Sequence, residues 1–204
     1  MLIKFELLYT IIRNRIHKYL TLLDKNIKIG NKTSIFYKSY IYNICDEGSV
    51  SIGDNCLIGR SKYGYHAGMP FYTTILNDGI KSNIRIGNNC RINGAYLHAK
   101  NNIKIGDNCV IASGVNIIDS NGHKTYSKDR TKGADCSKSV IIGNNVWIGL
   151  NATILKGTII GDNSIISAGS VVKGIFPDNC IISGNPATIV KTFKLEEENI
   201  DKLL

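Results

Sequence analysis

The sequence predicts an all-β solenoid, a parallel β-helix, and three observations carry that expectation. Aliphatic residues recur every six positions, most plainly at Ile142, Ile148, Ile154, Ile160, Ile166 and Val172. Four places after each of the first five stands a small or β-branched residue: Val146, Ala152, Thr158, Ser164 and Ser170. The same pairing joins Ile29 to Thr33, Ile52 to Cys56, Ile86 to Cys90 and Ile105 to Cys109, and Gly-Asp-Asn or Gly-Asn-Asn corners recur beside it. A helix needs a period of 3.6 and a plain strand a period of two. Six fits a short strand plus a tight corner, repeated, with Gly and Asn supplying backbone angles that other residues resist. Stacked coils then pair their backbones with the coils above and below, so no coil needs to be stable alone.

In chain order, residues 1–26 form the first segment. Phe5, Leu8, Ile12 and Ile16 fall on one face of a helix, with most Lys and Arg elsewhere. That helix is expected to pack on its own domain or on a neighbouring subunit. A second reading lays residues 1–20 on anionic lipid as a basic amphipathic helix. Its apolar runs, broken by Lys4, Glu6, Arg13, Arg15 and Lys18, are too short for a membrane span or a convincing signal peptide. Residues 27–191 carry the hexads. Two stretches interrupt them, a Tyr- and Phe-rich loop over 59–79 and a second loop over 118–139, and long loops leaving a rigid scaffold tend to carry function. Residues 192–204 read as a short, mainly acidic helical tail.

The 204 residues carry 25 Lys and Arg against 16 Asp and Glu, a net charge of +9. That excess favours anionic partners, and no aromatic-basic motif points to nucleic acid. Three of the six cysteines, Cys56, Cys90 and Cys109, share one repeated context, which marks Cys as a small apolar residue of the repeat. No CxxC pair is present, and reduced thiols fit a cytoplasmic protein. The four histidines, His17, His66, His98 and His123, include no close pair, which argues against a metal centre of the hydratase type.

The closing hexads, with "NNVWIG", "AGSVV" and "GNPA" in that order, resemble the hexapeptide-repeat acyltransferases. The likeness is greatest to the maltose and galactoside O-acetyltransferase branch and its relatives in capsule and lipopolysaccharide O-acetylation. It covers roughly residues 84–191. It implies a left-handed coil of triangular section, three hexads per turn, and a homotrimer with its sites between subunits. It also implies acetyl-CoA as co-substrate, a sugar or polysaccharide acceptor, and no metal.

Carried over residue by residue, His123 in "DSNGH" matches the catalytic histidine, and Trp147, the only Trp, matches the tryptophan beside the coenzyme. His123 would act as general base toward an acceptor hydroxyl attacking the thioester directly, since an imidazole titrates near neutral pH. Asp119 or Asp135 is a candidate to orient its ring, with a backbone carbonyl as the alternative. Leu150 and Ala168 match backbone contacts to coenzyme A, and Lys173, Gly174 and Lys191 match its phosphate end. Leu150 stands where the family often has a small residue, and Lys191 where it often has Arg. On the acceptor side the sugar acetyltransferases use an Asn and an Asp. The corresponding stretch, "RINGAYLH", offers Arg91, Asn93 and His98 without an Asp, and Arg130 adds a loop cation. That exchange points to a different acceptor, an acidic glycan. The rivals are N-acetylation of an amino sugar or small amine, and a non-catalytic β-helix scaffold. Nucleotide-sugar and serine acetyltransferases usually carry an extra N-terminal domain, for which 1–26 is too short.

Overall fold

The computed structural model describes residues 2–61 and 65–194, with side chains from Leu8 onward. Three sheets of short parallel strands wall a three-sided prism. Seven strands form the first face, from Ile27–Ile29 to Ile175–Phe176. The second face runs from Ser34–Ile35 to Cys180–Gly184, and the antiparallel strand Ala187–Thr192 closes it. Six strands form the third face, from Tyr40–Asn43 to Val171–Val172. Each coil crosses the faces in that order.

The six-residue period becomes three columns of inward side chains. On the first face Ile29, Ile52, Ile86, Ile105, Ile142, Ile160 and Phe176 stand in register. The second carries Ile35, Ile58, Ile92, Ile111, Ile148, Ile166 and Ile182. The third carries Ile41, Ile75, Leu97, Ile117, Ile154 and Val172. Each fully buried aliphatic side chain contributes about 1.5–3 kcal/mol, so the columns are the main cohesive force. Ile142 pairs with Ile105 after the second loop. The interruption at His123 therefore costs no rung.

The small residue four places after the aliphatic one also acquires a cause. The Cys56, Cys90 and Cys109 thiols donate to the carbonyls of Gly87, Gly106 and Gly143 on the next coil, at 3.1–3.2 Å. Thr33 does the same to Gly53 at 2.6 Å. These cysteines are free and buried, as the repeat context implied. At the same corner a Cβ on Gly106 would lie 2.6 Å from the Gly143 carbonyl oxygen, so the coils stack only over Gly. The adjoining Asn108 and Asn145 sit at φ 59° and 52°, in the left-handed region Asn tolerates.

Three boundaries differ from the sequence reading. The first loop ends at Thr73, because Thr74–Asn77 pairs with Tyr40–Asn43 and Tyr96–Ala99 and buries Ile75. The second loop begins at Asp119, after Asn116–Ile118, and ends where Val140–Ile142 starts. The C-terminal strand reaches Thr192, and the helical tail expected over 192–204 lies outside the described residues from 195 onward.

The N-terminal helix spans Leu2–Thr21. It lies along the first coil, and its polar face is the one that docks. Lys18 Nζ donates to the Gly30 and Thr33 carbonyls at 3.2 and 2.8 Å. His17 Nε2 lies 2.7 Å from the Ser39 carbonyl, and the Tyr37 N–H donates to Asn14 Oδ1 at 2.9 Å. A solenoid's first coil has no neighbour below, so its backbone groups need an outside partner. Capping them uses the helix's polar residues. The stripe of Leu8, Ile12 and Ile16 does not pack on its own domain, one of the two expected places, and is about half exposed in the single chain.

Candidate active site

The expected site residues separate onto different walls. Trp147, 54% exposed, faces outward on the second face. It belongs to one outward column that runs Arg91, Val110, Trp147, Ile165, Ile181 and Lys191. At about 4.8 Å per strand, Lys191 stands roughly 14 Å above Trp147 and Arg91 roughly 10 Å below it. The column is apolar in the middle and cationic at both ends. Leu150 and Ala168 stack at the corner between the second and third faces, where the Gly169 N–H donates to the Leu150 carbonyl at 2.8 Å. Among the described residues, neither the Leu150 nor the Ala168 N–H is used by a backbone acceptor, which leaves both free to meet a carbonyl-rich ligand. The first loop packs here too. Ser113 Oγ donates to the Gly68 carbonyl, and Gly68, Met69 and Pro70 share a cleft of ≈ 420 Å³ with Leu150 and Asn151. Asn93, half-buried, is at this corner two coils earlier; Lys173 and Gly174 follow Val171–Val172 at the corner between the third and first faces.

His123 is on the loop that leaves from that latter corner, the one opposite the face of Trp147. Its ring is exposed and enters none of the hydrogen bonds among the described residues. Neither expected partner reaches it. Asp119 is fully buried, and its carboxylate accepts the N–H groups of Lys100, Asn101 and Asn102 at 2.8, 2.7 and 2.8 Å. It pins the foot of the loop to the coil below. Asp135 accepts Ser120 Oγ at 2.6 Å, the Asn121 N–H at 2.7 Å and Lys156 Nζ at 2.6 Å. Lys156 also donates to the Cys136 carbonyl at 3.0 Å. The two ends of the loop are thus clamped together, and Ser120 and Asn121 lead directly into Gly122 and His123. The sequence reading of both aspartates as ring partners is corrected: backbone amides and a lysine occupy them. Arg130 is exposed, its Nε 3.3 Å from the Thr125 carbonyl within the loop.

Burial pushes the Asp135 carboxyl up, but the bonds from Lys156, Ser120 and Asn121 outweigh it and hold the group at about 2 instead of 3.8. A depressed carboxyl contributes stability that is complete above the unfolded value and is lost as pH falls through the folded one. The clamp should therefore hold down to about pH 3.8 and fail toward pH 2. Hydrogen exchange at the Asn121 amide, referred to scaffold amides such as Ile142, should accelerate across that window and not above it.

The structure places an acid that the sequence reading missed, Asp78, beside His98. Asp78 accepts His98 Nε2 at 2.8 Å and Lys100 Nζ at 2.7 Å. Burial raises its carboxyl, and the bonds from Lys100 and His98 bring it below the usual range. Asp78, Lys81, Lys100, Ser120, Gly122 and Asp135 line a cleft of ≈ 570 Å³ beneath the loop. Counting the hexad from Ile75 would have found it, because Leu76 then falls beside His98. No group of three or more His, Cys, Asp or Glu among the described residues is arranged to hold a metal ion.

The model of the hexapeptide repeat of succinyl-transferases matches residues 49–61, 83–118 and 139–173. The second gap coincides with the second loop, and the first takes in most of the first loop together with the strand Thr74–Asn77. A provisionally named lipopolysaccharide biosynthesis O-acetyl transferase, WbbJ of Escherichia coli K12, is 30% identical over 190 residues, covering 83% of this chain and 88% of the relative. The galactoside O-acetyltransferase of the same organism is 39% identical over 110 residues, 54% of each chain. Among solved structures, a galactoside acetyltransferase in complex with coenzyme A superposes with a TM-score of 0.55 at 24% identity, over 88% of this chain and 72% of that one.

Proposed function

The chain belongs to the left-handed β-helix acetyltransferases built on hexapeptide repeats, and from that premise we propose that it moves an acetyl group from acetyl-CoA to a sugar hydroxyl of a surface polysaccharide or its precursor. One observation carries the arrangement. His123 and Trp147 lie on opposite sides of a single chain, so a site containing both needs a second copy. A ring of three copies, each loop reaching the Trp147 face of the next, closes this head-to-tail contact.

Acetyl-CoA supplies the acyl group as a thioester. The second-face column suits it: Trp147, Ile165 and Ile181 line an apolar path for the pantetheine arm, and Lys191 meets the phosphates at its end. Lys173 adds a cation one corner away. The free N–H groups of Leu150 and Ala168 are oriented donors for the arm's amide carbonyls. His123 Nε2 or Nδ1 takes the proton from the acceptor hydroxyl as its oxygen bonds to the acyl carbon, and the thiol departs with a proton from the resulting imidazolium. No covalent enzyme intermediate is needed, so kinetics should lack an acyl-enzyme burst. The Asp78 cleft beside Gly122 offers paired acceptors and donors for sugar hydroxyls. Arg91, Lys100 and Arg130 bring positive charge, and Asn93 and His98 add polar groups, a set that favours an acidic glycan.

Thiol release from acetyl-CoA, followed with a panel of acidic and neutral oligosaccharides, should rise at least about tenfold with a carboxylate-bearing acceptor. The product's acetyl group should be lost under mild alkali, as an ester is. An alkali-stable product would make the reaction N-acetylation, and coenzyme binding without turnover on any acceptor would return the chain to the scaffold reading.

A further inference from the structure

We propose that the outward face of the N-terminal helix is a docking surface for an anionic lipid membrane, holding the enzyme at a bilayer without crossing it. The inference stands apart from the acetyl-transfer reading and starts from how the helix is seated. Capping the first coil consumes Asn14, His17 and Lys18, and this fixes the rotation of the helix about its axis. From Leu8 onward most of the apolar strip is thereby turned away from the prism, with only the edges at Ile11, Ile16 and Leu20 bordering the first coil. Leu8, Ile12, Ile16, Leu20 and Leu23 are 56%, 49%, 54%, 55% and 67% exposed, with Tyr9 and Tyr19 at 48% and 68% on the flanks. A contiguous apolar strip of this length is uncommon on a surface that meets only water.

Charge decides what covers it. Leu8 to Leu23 contains no Asp or Glu, and carries the exposed Arg13 and Arg15 beside the strip, while Lys18 is turned to the first coil. Lys25, Lys28 and Lys32 extend the same sign onto the first coil. Two copies meeting through this strip would bring cations together, whereas an anionic headgroup layer attracts them, at about 1 kcal/mol per basic residue near the surface. Tyr rings at the edges suit the interface between headgroups and acyl chains. No described helix is long and apolar enough to cross a membrane, so a helix lying in the plane of the interface is the geometry that fits.

The test is flotation of the full chain with vesicles of phosphatidylcholine alone or of phosphatidylcholine and phosphatidylglycerol at roughly three to one. The protein should float with the anionic vesicles, stay dense with the neutral ones, and be released by high salt. The triple variant Ile12→Ser, Ile16→Ser, Leu20→Ser should lower the lipid-bound to free ratio by about a hundredfold. Arg15→Glu, which alters no packed residue, should lower it by about tenfold. Both variants should keep the sedimentation mass of the parent and its thiol-release rate. Parent protein that stays dense with the anionic vesicles overturns the proposal, as does equal flotation with both lipids. A change of sedimentation mass in the triple variant would assign the strip to a second copy instead.

Discussion

Replacing His123 by Asn should lower kcat for acetyl transfer by about a thousandfold, inside the range of about 10²–10⁴ that a positioned general base contributes. The KM for acetyl-CoA should move little, because the column from Trp147 to Lys191 lies on another face. Stability should not change either: the His123 ring is exposed and unbonded, so no packing or buried hydrogen bond is lost. That combination separates catalysis from scaffolding. Mixing this variant with Trp147→Ala goes further. If each site pairs His123 of one subunit with Trp147 of the next, reassembled mixed rings should contain about a quarter native sites, and activity should exceed that of either variant alone. Sites built within one chain would regain nothing on mixing. A His123→Asn enzyme with full turnover would remove the base from the mechanism altogether.

Much of this molecule was legible as a period. Six residues per face fixes which side chains point inward, and the three Ile-rich columns follow it from Ile29 to Val172. Register carries outward-facing information as well. Three hexads beyond Trp147 stands Ile165 of its column, whereas Arg91, across the second loop, and Lys191, on the antiparallel strand, join that column only through the structure. Loops break that bookkeeping. Inside Asp119–Ser139 no rung constrains a side chain, so the partners of Asp119 and Asp135 could not be counted, only guessed from proximity in sequence. Both guesses looked toward His123. The structure turns the carboxylates to backbone amides and to Lys156, which follows Thr153–Ile154 at the corner and which the sequence analysis did not single out.

Asp78 and the helix failed for different reasons. The first loop hid the resumption of the hexad at Ile75, so the acid beside His98 was assigned to a loop rather than to the coil before it. For the helix, the amphipathic stripe was legible, but its own domain, one of the two protein surfaces expected to cover it, does not. The usual rule turns the apolar face inward, but the end of a solenoid presents unpaired backbone rather than an apolar surface. Hydrogen-bonding side chains win that contact, since an unpaired buried carbonyl or N–H costs about 1–3 kcal/mol.

The largest loss of stability among single changes near the site is expected at Asp119. Asp119→Ala strips the acceptor from three N–H groups at the corner Lys100–Asn102, in a place with no exposed surface at Asp119 itself. Bonds to a charged group contribute about 1.5–3 kcal/mol each, and water entering the gap restores part of that, so a net loss of about 3–5 kcal/mol is expected. Asp119→Asn should do only slightly better. It loses the charge, and even with its oxygen set toward Asn101 and Asn102 it turns an NH2 group against the Lys100 N–H. Because neighbouring coils support one another, the damage should stay local at first: exchange at the Lys100, Asn101 and Asn102 amides should accelerate before the distant coils open. Activity discriminates the two roles. A carboxylate that only oriented the His123 ring would, when removed, lower kcat and leave the denaturation midpoint alone. The scaffold role predicts the reverse order, with the midpoint falling in both variants and kcat falling only as far as the loop foot shifts. The loop's upper clamp, Asp135 with Lys156 and Ser120, remains intact in both, so His123 should retain part of its positioning even where its foot is loosened.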